Sequence, residues 1–327
     1  MTTARITHSV NEAADCLREG GVVAIPTETV YGLAGDARNE TAIQKIFAIK
    51  GRPANHPLIV HFATAEEAFE WTVEINESAR KLAKAFWPGP LSLVLRKQKW
   101  VSDSLTAGQA TVAVRVPAHP IAHQLLVEFR GALAAPSANR FTKVSPTSTA
   151  HVMHDLSDRL ELILEGGNCE IGIESTIIDC SQPDPVLLRP GYVTVEELEA
   201  VLGKPIFFKN SAGTLSPGQH AIHYAPEADL FLVNNSDIAN VARKFSATGK
   251  QVLVISSQPM SPSIPAAHWL IPADPKEFAR RIYGLLREAD AAKFDVVLTQ
   301  FPSAQGIGLA LADRLRRAAK PLPETIL

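Results

Sequence analysis

Eight short apolar runs between residues 22 and 191, most of them closed by Gly or Pro, constrain this chain more than anything else in it. They are "VVAI" (22–25), "PLIVHFA" (57–63), "LSLVLRK" (91–97), "TVAVRVP" (111–117), "GALAA" (131–135), "LELILEGG" (160–167), "STIIDC" (175–180) and "PVLLRPG" (185–191). Runs this short and this rich in Val, Ile and Leu are strands rather than helices. Helical spacing fills 9–21, 40–50, 76–86, 118–130, 147–156 and 194–203. Ser9 or Asn11 can cap the first of these helices, and Thr194 with Glu197 makes a capping box for the last. Ser145-Pro146 has the form of an N-cap followed by proline at the first helical position. Several strands follow one another with no helix between them. The expected class is therefore α/β with a mixed sheet rather than a strictly parallel one.

The texture changes at "GKPIFFKNSAGTLSPGQHAIHYAPEAD" (203–229), which has Gly, Pro and Ser but no sustained period. A stretch of that length exceeds the usual loop and reads as a functional linker. Beyond it, "DLFLVN", "QVLVIS", "HWLIPA" and "FDVVLTQ" alternate with helices over 236–248, 275–292 and 308–319. The whole suits 327 residues divided into a domain over 1–203, a linker over 204–228 and a smaller Rossmann-like domain over 229–327.

Charge and motifs then narrow the function. A net charge of −2 argues against a surface built for non-specific nucleic-acid binding. No apolar run spans a membrane, and the polar start is not a signal peptide. Cys16, Cys169 and Cys180 have no pairing or metal spacing, so they read as buried thiols in a reducing cytoplasm. Gly203-Lys204 and Gly249-Lys250 lack the Ser or Thr of a P-loop, and HExxH and CxxC do not occur. "GIGLAL" (306–311) has Leu311 where a dinucleotide motif has its third glycine, and it reads as a helix start.

"FAIKGRPANHPLIVHF" (47–62) is harder to dismiss. Ile43, Ile46, Phe47 and Lys50 share one helical stripe, so Lys50 prolongs an apolar face. Gly51 stops that helix, and Pro53 holds Arg52 extended beside Lys50. No acidic residue is near in sequence, so the two cations call for an anionic ligand. In "TVAVRVP" the valines form one face and Thr111, Ala113 and Arg115 the other. An arginine in mid-strand is costly to bury unpaired, so that face either meets solvent or lines a polar cleft; taken alone, the pattern favours solvent. In "AAPSANRF", Pro136 keeps Ala135 extended, and Ser137 and Asn139 project to one side at a strand end.

In order along the chain, "PTETVYGLAGDA", "IKGRP…HPLIVHF", "WPGPLSLVL", "VAVRVP", "APSANRF…SPT", "GIESTIID", "LLRPG" and "SPG…HYAP" closely resemble the threonylcarbamoyl-AMP synthases of the YrdC-like superfamily, in their long two-domain form. The resemblance runs from about residue 10 to 320, through "GIGLALADRLRRAA". It implies a YrdC-like twisted mixed sheet with flanking helices. It also implies an adenylyl transfer: L-threonine, bicarbonate and ATP give threonylcarbamoyl-adenylate, pyrophosphate and water. The product goes to the machinery that makes threonylcarbamoyladenosine in tRNA, next to the anticodon; tRNA binding by the chain itself would be weak. The family's KxR and SxN signatures stand here as Lys50, Arg52, Ser137 and Asn139, the implied catalytic set. Those four, with His56, Thr111, Ser145 and Arg189, would surround ATP and its Mg²⁺, with His223 and Tyr224 of the linker closing over the nucleotide. Thr29, His61, Arg115, the backbone at Ala135, and Ser175 would hold threonine. His56 stands where relatives carry Asn, and "QHAI" (219–222) departs from their linker pattern.

Overall fold

A computed structural model describes residues 3–208 and 223–326. Within it the chain divides into two compact units. One takes the residues up to Phe141 and again from Ser145 to Phe208; the other takes 142–144 and the residues from His223 onward. Most of the expected linker lies outside the described residues.

In chain order the first unit runs β1 (Arg5–Thr7), α1 (Val10–Arg18), β2 (Val23–Ile25), β3 (Gly32–Asp36), α2 (Glu40–Lys50), β4 (Ile59–His61), α3 (Ala65–Glu70), α4 (Glu77–Phe86), β5 (Leu91–Arg96), α5 (Asp103–Thr106), β6 (Thr111–Arg115), α6 (Pro120–Phe129), β7 (Leu133–Ala134), α7 (Thr149–Leu156), β8 (Leu162–Leu164), β9 (Thr176–Asp179), β10 (Val186–Arg189), α8 (Val195–Leu202) and β11 (Phe207–Phe208). Its sheet has the order β1-β8-β2-β3-β7-β4-β6-β5-β9-β10-β11. Pairing is mixed: β4 runs parallel to β6, whereas β7 against β4 and β5 against β6 are antiparallel.

The period-2 alternation of the strands sends alternate side chains to two different layers. On one face Val60, Leu93 and Val114 join Ile43 and Ile46 of α2, Leu82 of α4 and Leu198 of α8 in the main core. On the other, α1 and α6 cover the β2–β7 end through Leu17, Leu125 and Leu126. Further along that second face, Ile59, Val94, Ala113, Ile177 and Leu188 form a small cluster, and all five come from strands. The polar residues of interest border this floor.

Ser9 caps α1, and Thr194 and Glu197 form the expected capping box of α8. Ser145, however, is no cap. The helix starts at Thr149 with Ser148 as its N-cap, because the Ser148 hydroxyl reaches the N–H of His151. The Pro146 carbonyl instead accepts from the N–H of Tyr31. Strands β1, β3 and β11 and helices α3 and α5 are additions to the sequence reading. All three thiols are free, but Cys16 is only half-buried.

The second unit has β12 (Asp229–Val233), α9 (Ile238–Ala247), β13 (Val252–Ser256), β14 (Ala267–Leu270), α10 (Pro275–Ala291), β15 (Val296–Gln300) and α11 (Ile307–Ala318). Its four strands are parallel, in the order β12-β15-β13-β14. The last strand is inserted beside the first, so the α/β alternation is Rossmann-like although the strand order differs from a dinucleotide-binding sheet. "GIGLAL" opens α11, as expected of a helix start.

Candidate active site

Helix α2 ends where the sequence says it should, and that ending aims the first cation. Gly51 caps it in the left-handed conformation with φ +62°. The Lys50 side chain points inward and is 3% exposed. Its Nζ donates to the carbonyl of Ser137, to the carbonyl of Asn139 at 2.8 Å and to Asn139 Oδ1 at 3.4 Å. The Phe141 N–H returns a bond to the Lys50 carbonyl at 2.9 Å. Within the protein, the partners of this buried cation are thus the carbonyls of the Ser-x-Asn loop. Burial, and after it the Arg52 charge, pushes the Lys50 ammonium well below the usual lysine range, while Asp155 works the other way. Arg52 is half-buried and donates from Nη2 to the Pro57 carbonyl at 3.0 Å. The His56 ring lies 5.9 Å from the ring of Phe141.

Arg115 does not face solvent, the reading that the strand pattern alone favours. It is buried, and its Nη2 donates to Glu28 Oε1 at 2.6 Å in an ion pair whose two side chains are 4% and 6% exposed. Nη1 donates to Thr29 Oγ1 at 3.1 Å and Nε to the Gly89 carbonyl at 3.2 Å. A mid-strand arginine can be buried here because a carboxylate distant from it in sequence neutralises it. His61 sits opposite Arg115 in the β4–β6 register. Burial, with the Arg115 charge second, pushes the His61 imidazole down to about 3, so it is neutral near pH 7.

Ser175 and Arg189 form a third group. The Arg189 Nη2 donates to the Ser175 carbonyl at 2.8 Å, and the Ser175 hydroxyl shares a 2.8 Å bond with that of Ser92. A bulge in β10 sets Arg189 opposite Ile177, on the face of the small cluster. Gly191 follows because nothing larger fits: a Cβ there would lie 2.3 Å from the Thr176 nitrogen. Next to Ser175, the Glu174 carboxylate accepts from the buried Ser145 hydroxyl at 2.7 Å.

Residues 26–31, within "PTETVYG", tie these groups together. Besides Glu28 and Thr29 on Arg115, the Glu28 carbonyl accepts from the Ile171 N–H at 2.9 Å, and the Tyr31 carbonyl from the Ala138 N–H at 2.8 Å. Thr111 stands at the start of β6 on the same face as Arg115, roughly 13 Å along the strand. The N–H of Ala135 is already bonded to the Ile59 carbonyl at 3.0 Å, which leaves its carbonyl as the group on offer. His223 and Tyr224 lie in the second unit. There the Tyr224 ring stacks on Tyr283 at 5.6 Å, and Arg314 sits 5.3 Å from its centroid. Glu28, Glu174 and Ser92 were missed by sequence reasoning. Glu28 had a partial signal, a mid-strand arginine that needs a counter-charge if it is buried; Ser92 had none.

Two family models cover the chain. One, described as "Telomere recombination" and named for Sua5, YciO and YrdC, matches residues 15–191; the other, "Threonylcarbamoyl-AMP synthase, C-terminal domain", matches residues 193–320. The chain belongs to the threonylcarbamoyl-AMP synthase family. Among its relatives, a threonylcarbamoyl-AMP synthase of Pyrococcus abyssi is 44% identical over 94% of this chain and 93% of its own length. One of Bacillus subtilis is 40% identical over 95% and 92%. A crystal structure of P. abyssi Sua5 complexed with L-threonine superimposes with a TM-score of 0.89 at 42% identity, covering 95% of this chain and 94% of that one. Both parts of the chain, the YrdC-like sheet and the C-terminal α/β unit, are therefore those of the long form of the family. Among the described residues no helix is long and apolar enough to cross a membrane.

Proposed function

We propose that the chain condenses L-threonine, bicarbonate and ATP into threonylcarbamoyl-adenylate, releasing pyrophosphate and water, and that the product serves threonylcarbamoyladenosine formation in tRNA. The observation that carries this reading is the KxR–SxN junction, where buried Lys50 is locked onto the Ser137 and Asn139 carbonyls with Arg52 beside it. The chemistry brings together two anions, a carbamate oxygen and the α-phosphate. Fixed cations and N–H donors suit it better than a covalent nucleophile. In this reading Lys50 braces the Ser137–Asn139 loop and, with Arg52, opposes the charge of the phosphates. His56, Thr111, Ser145 and Arg189 complete the nucleotide side; Mg²⁺ would enter with ATP as part of the substrate and offset phosphate charge there.

Threonine takes the other side. Arg115 spends three of its five N–H groups on Glu28, Thr29 and Gly89, which leaves one on each terminal nitrogen for the two oxygens of a carboxylate. Thr29, neutral His61, the Ala135 carbonyl and Ser175 surround that position. The test is pyrophosphate release from MgATP with each of the twenty amino acids, with and without bicarbonate. Release is expected only with threonine and bicarbonate together; release independent of either overturns the reading.

A further inference from the structure

Glu28 offers more than a counter-charge. Its segment is pinned on both sides: the Thr27 hydroxyl donates to the Val30 carbonyl at 2.6 Å, and the Glu28 carbonyl accepts from Ile171. One carboxylate oxygen, Oε1, takes the Arg115 bond, while Oε2 is buried with no hydrogen-bond partner. Among the described residues it is the one carboxylate oxygen in that condition. A buried unpaired carboxylate oxygen is costly, so its position calls for a donor supplied by a ligand. Beside it, Arg115 has one uncommitted N–H on each terminal nitrogen. A half-used guanidinium next to a half-used carboxylate is the complement of a zwitterionic α-amino acid.

Resting on the function proposed above, we infer that Glu28 binds the ammonium of threonine through Oε2 and removes its proton, as the general base of carbamate formation. The nitrogen attacks bicarbonate only as a free amine. Glu28 takes one proton from the ammonium, and the freed lone pair forms the N–C bond. The C–OH bond breaks with its electron pair on oxygen, and the second nitrogen proton leaves with it as water. The carbamate oxygen then attacks the α-phosphate, and Glu28 returns its proton to solvent before the next turnover. The threonine carboxylate arriving on Arg115 supplies the counter-charge that a protonated Glu28 gives up, so the transfer leaves no buried cation unpaired. The other titratable groups around Glu28 and its partner Arg115 are unsuited to the task. Arg115 on β6 is a cation, His61 on β4 is pushed down to about 3, and burial pushes the Cys169 thiol up to about 12.

Glu28→Gln keeps the size and the acceptor for Arg115 but cannot take a proton. With saturating threonine and bicarbonate, its kcat for pyrophosphate release should fall by about 10²- to 10³-fold at pH 7.5. The deficit should shrink as pH rises to about 9.5 and free amine becomes abundant. A wild-type kcat at pH 7.5, or a loss equal at every pH, overturns the inference, because a residue that only orients Arg115 gives no pH rescue. If Glu28→Gln no longer binds MgATP by calorimetry, Glu28→Asp decides. It should be slower than wild type at every pH while keeping the wild-type pH dependence, and a wild-type kcat overturns the inference. If the wild type releases no pyrophosphate from threonine and bicarbonate, the proposed function fails on its own. The ammonium contact is then decided by calorimetry. Threonine should bind Glu28→Gln at least about tenfold more weakly than wild type, whereas N-acetylthreonine should not distinguish the two; equal binding of threonine overturns it.

Discussion

Lys50 illustrates how a side chain can be placed from its spacing while its partners within the protein stay hidden. Its place on the apolar stripe is a matter of helical spacing, but its acceptors are carbonyls 87 and 89 residues away. Lys50→Met should therefore do two things: abolish pyrophosphate release and loosen the Ser137–Asn139 loop, seen as faster amide exchange at Phe141. Arg115 and His61 were legible only as residue types. Arg115→Lys keeps the charge and loses the fork, so the threonine KM should rise at least about tenfold while the MgATP KM stays within about twofold. For His61 the sign follows from the direction of its shift. The unfolded imidazole takes a proton below about pH 6.5, whereas the folded one resists until about 3. Stability is therefore lost as pH falls through that window and is unaffected above it. Urea titrations at pH 7 and pH 5 should show wild type losing about 2 kcal/mol more than His61→Gln.

At the scale of elements, the strands and helices with a clear period were legible. Helix α2 spans Glu40–Lys50 in the sequence reading and in the structure alike. Strand β3, "GLAGD", escaped because two glycines erase its alternation; it is a strand only because β2 and β7 flank it. Ser145 was misread as a cap because a local Ser-Pro pattern cannot reveal a distant acid, here Glu174, competing for the hydroxyl. Two glycines separate backbone strain from crowding. Gly51 has open space around its missing Cβ, so Gly51→Ala should cost only about 1 kcal/mol of stability by thermal melting. At Gly191 a Cβ would collide with the backbone of Ser175 and Thr176. Gly191→Ala should displace Ser175 and raise the threonine KM several-fold as well as lowering the melting temperature.

For the whole molecule, near-neutral charge carries its own consequence. A chain with a net charge of −2 should hold tRNA no more tightly than about 10 µM at 0.15 M salt by filter binding. Tighter, salt-resistant binding would show that a local patch outweighs the average. The α/β class, a second α/β unit after the stretch rich in Gly, Pro and Ser, and the residues of the KxR and SxN signatures were determined by the sequence by itself, since periodicity, turn residues and ordered motifs are local properties of a chain. The order of eleven strands, the insertion of β15 beside β12, the Lys50 brace and the Glu28–Arg115 pair were decided only by tertiary structure. Each of these joins residues far apart in sequence, and burial strengthens an ion pair or an ammonium–carbonyl bond only once packing has removed the water around it.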